Sequence, residues 1–206
     1  MPKIHPGATL TPHFRDFLRS GSPGSRGTRV RGNPRSGRSG SSGSRIRLGV
    51  GIETHLVTDG SVVYQAPMTY RRAPLAESVP VSAAADSLIA VAEHSVLGTR
   101  WIYDGTADPV WAAELIRLTE TETTATRSSR TGAGQAHAHG RRLTTDEFTV
   151  STAAIEVIRV LAPGRPPSAE PGLAGVVMGT WPPKGSEGAV ESGLLAVVRT
   201  TAGRGT

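Results

Sequence analysis

The chain has 206 residues, enough for one domain with tails. It has no cysteine, which excludes disulfides and thiolate chemistry and suits a cytoplasmic protein, and its 37% apolar content with 25 Gly and 15 Pro predicts that part of it stays outside a packed core. The net charge of +6 invites a nucleic-acid reading, yet six of the 23 basic residues fall in residues 20–45, which hold no acidic residue, and the rest of the chain balances 17 basic against 17 acidic side chains.

In residues 1–19, Phe14, Phe17 and Leu18 have the spacing of a short helix, with Thr11 as its cap and Pro12 at its first position. Residues 20–45 are almost entirely Ser, Gly and Arg. They cannot bury enough apolar surface to offset the entropy of ordering, so a disordered tract is expected. As an arm for RNA or DNA the tract lacks aromatic side chains for stacking, and a solvated linker is the preferred reading.

The fold is expected to occupy residues 46–200, with a frayed tail at 201–206. Residues 47–57 alternate as a strand, with Val50, Ile52, Thr54 and Leu56 on one face and Gly51, Glu53, His55 and Val57 on the other. Asp59-Gly60 signals a hairpin. The return strand runs over residues 62–70, and Pro67 assigns it to an edge or to a bulge. Residues 77–87 read as a connection and residues 88–97 as the next strand. Gly98 marks a turn, and strand resumes over residues 99–103.

Asp108 then caps a helix with Pro109 at its first position. That helix runs from Val110 to about Thr121, with Trp111, Leu115 and Leu118 on one stripe and Glu114 and Arg117 on the other side. Residues 119–142 read as a polar loop, residues 148–161 as one long strand and residues 163–172 as a Pro-rich loop. Residues 173–181 and 194–200 read as a final antiparallel pair. The sum is an α+β fold: a curved antiparallel sheet packed on one main helix, preceded by a disordered N-terminal tract. No apolar run approaches the roughly 18 residues of a membrane span, and the N-terminus lacks a secretion-signal pattern, so no membrane partner is expected.

Chemical constellations are few. Glu93 and His94 could form an acid/base pair, but neighbours in a strand point to opposite faces, so a hydrogen-bonded structural His94 is preferred. His137-Ala138-His139 has metal-ligand character without a carboxylate cluster beside it, and adventitious binding is preferred to a zinc site. Asp104 and Asp108 could be a paired-carboxylate site; a turn at Asp104-Gly105 and a helix cap at Asp108 account for them better. Gly132-Ala133-Gly134 is a lone Gly-rich turn, and GxxxxGK[ST], GxSxG, HExxH and kinase catalytic-loop patterns are absent from the sequence. Trp101, Trp111 and Trp181 could stack on sugar rings, with a place in the core or an interface preferred. No catalytic residue, cofactor or metal is therefore assigned.

The stretch over residues 93–109 carries Glu93, His94, Gly98, Arg100, Trp101, Tyr103, Asp104, Asp108 and Pro109 as a structural signature. Together with Gly51-Ile52-Glu53-Thr54, Pro67-Met68-Thr69-Tyr70-Arg71, Ala73-Pro74-Leu75, Leu88-Ile89 and Gly179-Thr180-Trp181, it resembles the N-terminal cap domain of bacterial maltokinases and its short stand-alone relatives, some of which are labelled 1,4-alpha-glucan branching proteins. The similarity is good over residues 46–125 and loose over residues 143–200. Arg72 departs from the glycine of that pattern, and the aromatic segment before the first strand is replaced by the Ser/Gly/Arg tract. The resemblance implies a sheet wrapped on a helix at the front of a kinase that phosphorylates maltose from ATP, with the phosphate-binding and catalytic groups in later lobes.

On that basis three functions are expected in descending order. The first is a non-catalytic accessory or regulatory domain in maltose, trehalose and α-glucan (glycogen) metabolism, partnered by a kinase lobe or another enzyme of that pathway. The second is a subunit or N-terminal fragment of an ATP-dependent maltokinase. The third is nucleic-acid binding through the arginine tract.

Overall fold

A computed structural model describes residues 8–13, 16, 40–47, 49–75, 79–125, 136–168, 170–182 and 189–200, with backbone alone for 40–47. Eleven strands and two α-helices are present among these residues. In chain order they are β1 (Leu10–Thr11), β2 (Gly40–Arg47), β3 (Val50–Asp59), β4 (Val62–Arg71), α1 (Val81–Ser87), β5 (Leu88–His94), β6 (Gly98–Asp104), α2 (Pro109–Glu120), β7 (His137–Arg142), β8 (Ala153–Val157), β9 (Val160–Leu161), β10 (Leu173–Trp181) and β11 (Glu191–Thr200). A single 3-10 turn, Gly105–Ala107, joins β6 to α2.

The strands form two antiparallel sheets. The larger is strongly curled and runs β1-β5-β6-β4-β3-β2, with β9 also pairing with β4; the smaller runs β7-β10-β11-β8. One main helix, α2, packs on β7 and β10, so the α+β expectation of a curved antiparallel sheet on a helix describes the molecule. The strands are divided between two sheets because the chain crosses from one to the other at Ile158-Arg159. β8 pairs with β11 and β9 pairs with β4, which breaks the single strand expected over residues 148–161. Gln65 of β4 holds the crossing: its amide nitrogen donates to the carbonyls of Ile158 and Leu195, and its backbone N–H donates to Arg159 O.

The β3–β4 hairpin turns at Gly60-Ser61, since Asp59 pairs with Val62; the loop sits one residue beyond Asp59-Gly60. β4 is an interior strand, not an edge. Pro67 is tolerated there because β6 pairs with residues 68–71 and β9 with residues 63–64, leaving Pro67 in the gap between them. The sheet also extends further toward the N-terminus than expected. Backbone pairing of β2 with β3 puts residues 40–45 in a strand, and Thr11 belongs to β1, where it pairs with Glu93 of β5. The rest of the 20–45 tract, most of the helix expected at 14–18, and the 201–206 tail lie outside the described residues.

Three further expectations are corrected. Residues 81–87, read as a connection, form α1, whose Ala84 packs with Leu75 and Tyr103. Residues 137–142, read as loop, form β7 against α2. That approach needs glycine: a Cβ on Gly140 would lie 2.1 Å from Leu118 O, and one on Gly175 would lie 2.2 Å from Thr119 Cγ2. The helix α2 buries more than one stripe, since Glu114 and Ile116 join Trp111 and Leu118 in the interior while Leu115 is half-buried.

The main core lies between the sheets, where Leu56 and Leu161 of the larger meet Val177, Trp181, Leu195 and Ala196 of the smaller. Ile116 of α2 joins Phe148, Ala174 and Val198 in a second cluster. A third cluster, Met68, Ala92 and Ile102, belongs to the larger sheet, with Leu10, Ala66, Tyr70, Ile89 and Ala90 against it.

Candidate functional site

The signature residues cluster where the β5–β6 hairpin runs into α2. β5 ends at His94, three residues short of the strand end expected at Leu97. Residues 95–97 form the turn, and Gly98 closes it at φ +71°, a conformation that glycine adopts without strain. His94 fixes this turn: its Nδ1 accepts the backbone N–H groups of Val96 and Leu97, each at 3.1 Å, so that nitrogen is unprotonated. Glu93 engages its cross-strand neighbour, accepting from Thr99 Oγ1 at 2.6 Å. Glu93 and His94 thus bond to different partners, Glu93 to Thr99 and His94 to the turn backbone.

Asp104 and Asp108 hold the strand-to-helix corner. Asp104 accepts from the backbone N–H and the hydroxyl of Thr106, and Arg159 Nη2 donates to it at 2.6 and 2.8 Å. Asp108 caps α2 by accepting from Val110 N at 2.9 Å. It is also gripped by Arg71, whose Nε and Nη2 donate at 2.7 and 2.8 Å in a two-pronged pair that is fully buried on the carboxylate side. Burial pushes the Asp108 carboxyl up, but the Arg71 guanidinium and the Val110 N–H outweigh it and hold the carboxyl below its ordinary value. The Thr69 hydroxyl, buried beside this pair, adds to the lowering and has no partner of standard hydrogen-bond geometry. Both carboxylates accept from cations and N–H donors of the chain itself, which is how a corner is fastened.

The aromatic residues fill structure. Trp111 and Trp181 are buried, Tyr103 is buried with its hydroxyl accepting from Leu75 N at 3.0 Å, and Trp101 is half-buried against the Leu75 cluster. Trp111 and Pro67 both lie against Gly105, where an added Cβ would meet the indole at 3.0 Å. Trp181 Nε1 donates to Glu191 Oε2 at 2.9 Å. On α2, Arg117 and Glu114 pair through two nitrogen–oxygen contacts of 2.8 and 3.0 Å, which raises the arginine further. His137 and His139 alternate with buried Ala138 along β7, and His139 Nδ1 meets Thr124 Oγ1 at 3.1 Å. Among the described residues no group of three or more His, Asp or Glu side chains could hold a metal ion.

A polar group not singled out in the sequence lies on the other face of the larger sheet. Tyr70 Oη is 3.0 Å from His55 Nε2, which is 3.4 Å from Glu53 Oε2. Burial first, and Glu53 second, push the Tyr70 phenol well above its ordinary range, so it remains a protonated donor. The signal was present: Glu53 and His55 share the alternate face of β3, and the hairpin brings Tyr70 across from Gly51.

No described helix is long and apolar enough to cross a membrane. Comparison with curated proteins and with solved structures gives no match. Residues 31–108, from within the arginine tract through β2–β6 to the cap of α2, match the maltokinase N-terminal cap domain, and over this stretch the chain is cap-domain-like.

Proposed function

We propose that this chain is a non-catalytic, cap-like accessory domain acting with an enzyme of maltose, trehalose and α-glucan metabolism. The observation that carries the reading is the cap-domain match over residues 31–108, which associates that stretch with maltose and trehalose metabolism. The geometry of the same stretch supports it. Asp104 is spent on Arg159 and Thr106, Asp108 on Arg71 and Val110, and His94 on its own turn, so the signature positions a scaffold. The partner is a kinase lobe or another enzyme of the α-glucan pathway.

Two measurements test this. The purified full chain, incubated with ATP and maltose, is expected to leave both unchanged; turnover by the chain alone would overturn the reading in favour of a kinase. Affinity capture of the tagged full chain from its own cells is expected to enrich a maltose- or α-glucan-pathway enzyme over a tag-only control. Repeated capture without such an enzyme counts against the assignment.

A further inference from the structure

Among the described residues the two sheets have four outer edges, and three of them are guarded. Residues 123–125 lie along β7: Ala125 N donates to Ala138 O, Gly140 N donates to Thr123 O, and Thr124 bridges His139. β8 carries the exposed Glu156 among its five residues, and the sequence of β2 holds Arg45 and Arg47 with Gly40 and Gly43. The fourth edge is that of β5. There β1 covers only Glu93 and His94, and its row stops before Pro12, which has no N–H to offer.

Among the described residues no strand pairs with Leu88-Ile89-Ala90-Val91-Ala92 on the side away from β6. Leu88 N donates to Ala85 O as α1 ends, and no other turn or loop bond between described backbones reaches the stretch. In an antiparallel ladder alternate residues turn their N–H and C=O groups toward one neighbour, which leaves the residues between them with groups pointing outward. The register with β6 shifts once, between Leu88 and Ala90, and is regular from Ala90 to His94. The stretch holds no charged or polar side chain. Leu88 and Val91, opposite Tyr103 and Trp101 of β6, share a face and are 37% and 46% exposed.

We propose that the outer edge of β5 accepts an extended, uncharged segment of another protein as an added antiparallel strand. Only an extended backbone offers N–H and C=O groups at the spacing of a strand edge, and apolar side chains are what cover Leu88 and Val91. The segment runs antiparallel because it continues the row that β1 begins. It is short, since α1 ends at Ser87 and β1 takes up Glu93, leaving five residues or about 17 Å. A second copy of this chain does not fit. Pairing two β5 edges with Leu88 against Ala92 sets Glu93 of the second copy, with its Thr11 alongside, against Ser87 at the end of α1. The site does not depend on which enzyme the chain accompanies.

The test titrates the full chain with the end-blocked peptide Lys-Thr-Val-Thr-Val-Thr-Lys, followed by amide NMR. Two further forms of the peptide are N-methylated at alternate residues, one on each edge of its strand. Saturable binding is expected, with shifts centred on residues 88–92. One N-methylated form should bind at least about tenfold more weakly and the other about as well as the parent, because only one edge of the peptide bonds to β5. Val91→Lys is expected to weaken binding at least about tenfold, and Val150→Lys, an equally exposed valine outside this sheet, to leave it unchanged. The N-methylated peptides act on the unaltered chain, so the test stands should Val91→Lys impair folding. Absence of saturation, equal binding of both N-methylated forms, or shifts centred on another edge would each overturn the assignment. So would sedimentation showing a dimer that Val91→Lys dissolves, which would give the edge to a second copy.

Discussion

The two sheets of this molecule are built on different scales of the chain. The larger takes its central strands from two hairpins, β3–β4 and β5–β6, whose strands are joined by turns of two and three residues. The smaller joins β7, β8, β10 and β11, and its β10 and β11 must meet segments that precede them by tens of residues. Local pairing costs little loop entropy, while distant pairing is recovered only when the whole sheet and its helix are in place. The larger sheet therefore depends on its turns and corner, and the smaller on its packing against α2 and its junction with the larger.

The corner of the larger sheet gives the largest expected effect. Asp108→Ala removes both the cap of α2 and the counter-charge of a half-buried Arg71. Breaking such a buried pair costs about 3–5 kcal/mol, read as a lower urea midpoint with unchanged slope. The same pair sets an acid limb. Because the folded Asp108 carboxyl lies below its ordinary value of 3.8, its stabilisation is complete above that pH and is lost as pH falls through the folded value. Asp108→Asn is expected to flatten stability against pH in that window, and an unchanged acid limb would contradict the assignment.

Gly140→Ala probes the smaller sheet at its closest approach. The added methyl would sit against the Leu118 carbonyl and the Thr119 nitrogen of α2, backbone atoms that cannot turn aside. Forcing β7 off the helix is expected to cost about 3 kcal/mol. Hydrogen exchange should quicken across β7 and β10 while β3 and β4 remain protected. Equal quickening in both sheets would show that they open as one unit.

These dependences explain how far the sequence could be read. The hairpins were legible because alternation and turn residues are local properties, and Asp108-Pro109 announced a helix start for the same reason. β10 and β11 were legible from their apolar runs. β7 was not, because His137-Ala138-His139-Gly140 has the composition of a loop; its small residues are there to admit the helix, a fact that belongs to tertiary packing. The break at Ile158-Arg159 was hidden because residues on both sides alternate correctly, and only pairing with two different sheets reveals it. Pro67 misled for a related reason: a single strand does not show where its neighbours stop. The corner residues Asp104 and Asp108 were legible as turn and cap, but their arginine partners, 55 and 37 residues away along the chain, were not.

Gln65→Met tests the junction itself. Methionine approximates the length of glutamine while removing the donors to Ile158 O and Leu195 O, at an expected cost of about 1–3 kcal/mol. If this side chain couples the sheets, unfolding followed through β3–β4 and through β10–β11 will no longer coincide. Coincident transitions would assign the coupling to the apolar core between Leu56, Leu161 and Trp181.

The smallest effect is expected at Arg199, which pairs with Glu170 at 2.9 Å where both side chains are about half exposed. Solvent screening leaves an exposed pair worth about 0–1 kcal/mol, so Arg199→Gln should move the urea midpoint barely beyond error. The contrast with Asp108 is informative because both sites join a carboxylate to an arginine at similar distance, and they differ in burial and in what else the carboxylate does. Asp108 also caps the start of a helix, whereas Glu170 ties a loop to the end of β11. A loss at Arg199 comparable to that at Asp108 would mean that the end of β11 is held from its loop side, and that the smaller sheet is secured by charge as well as by its fit to α2.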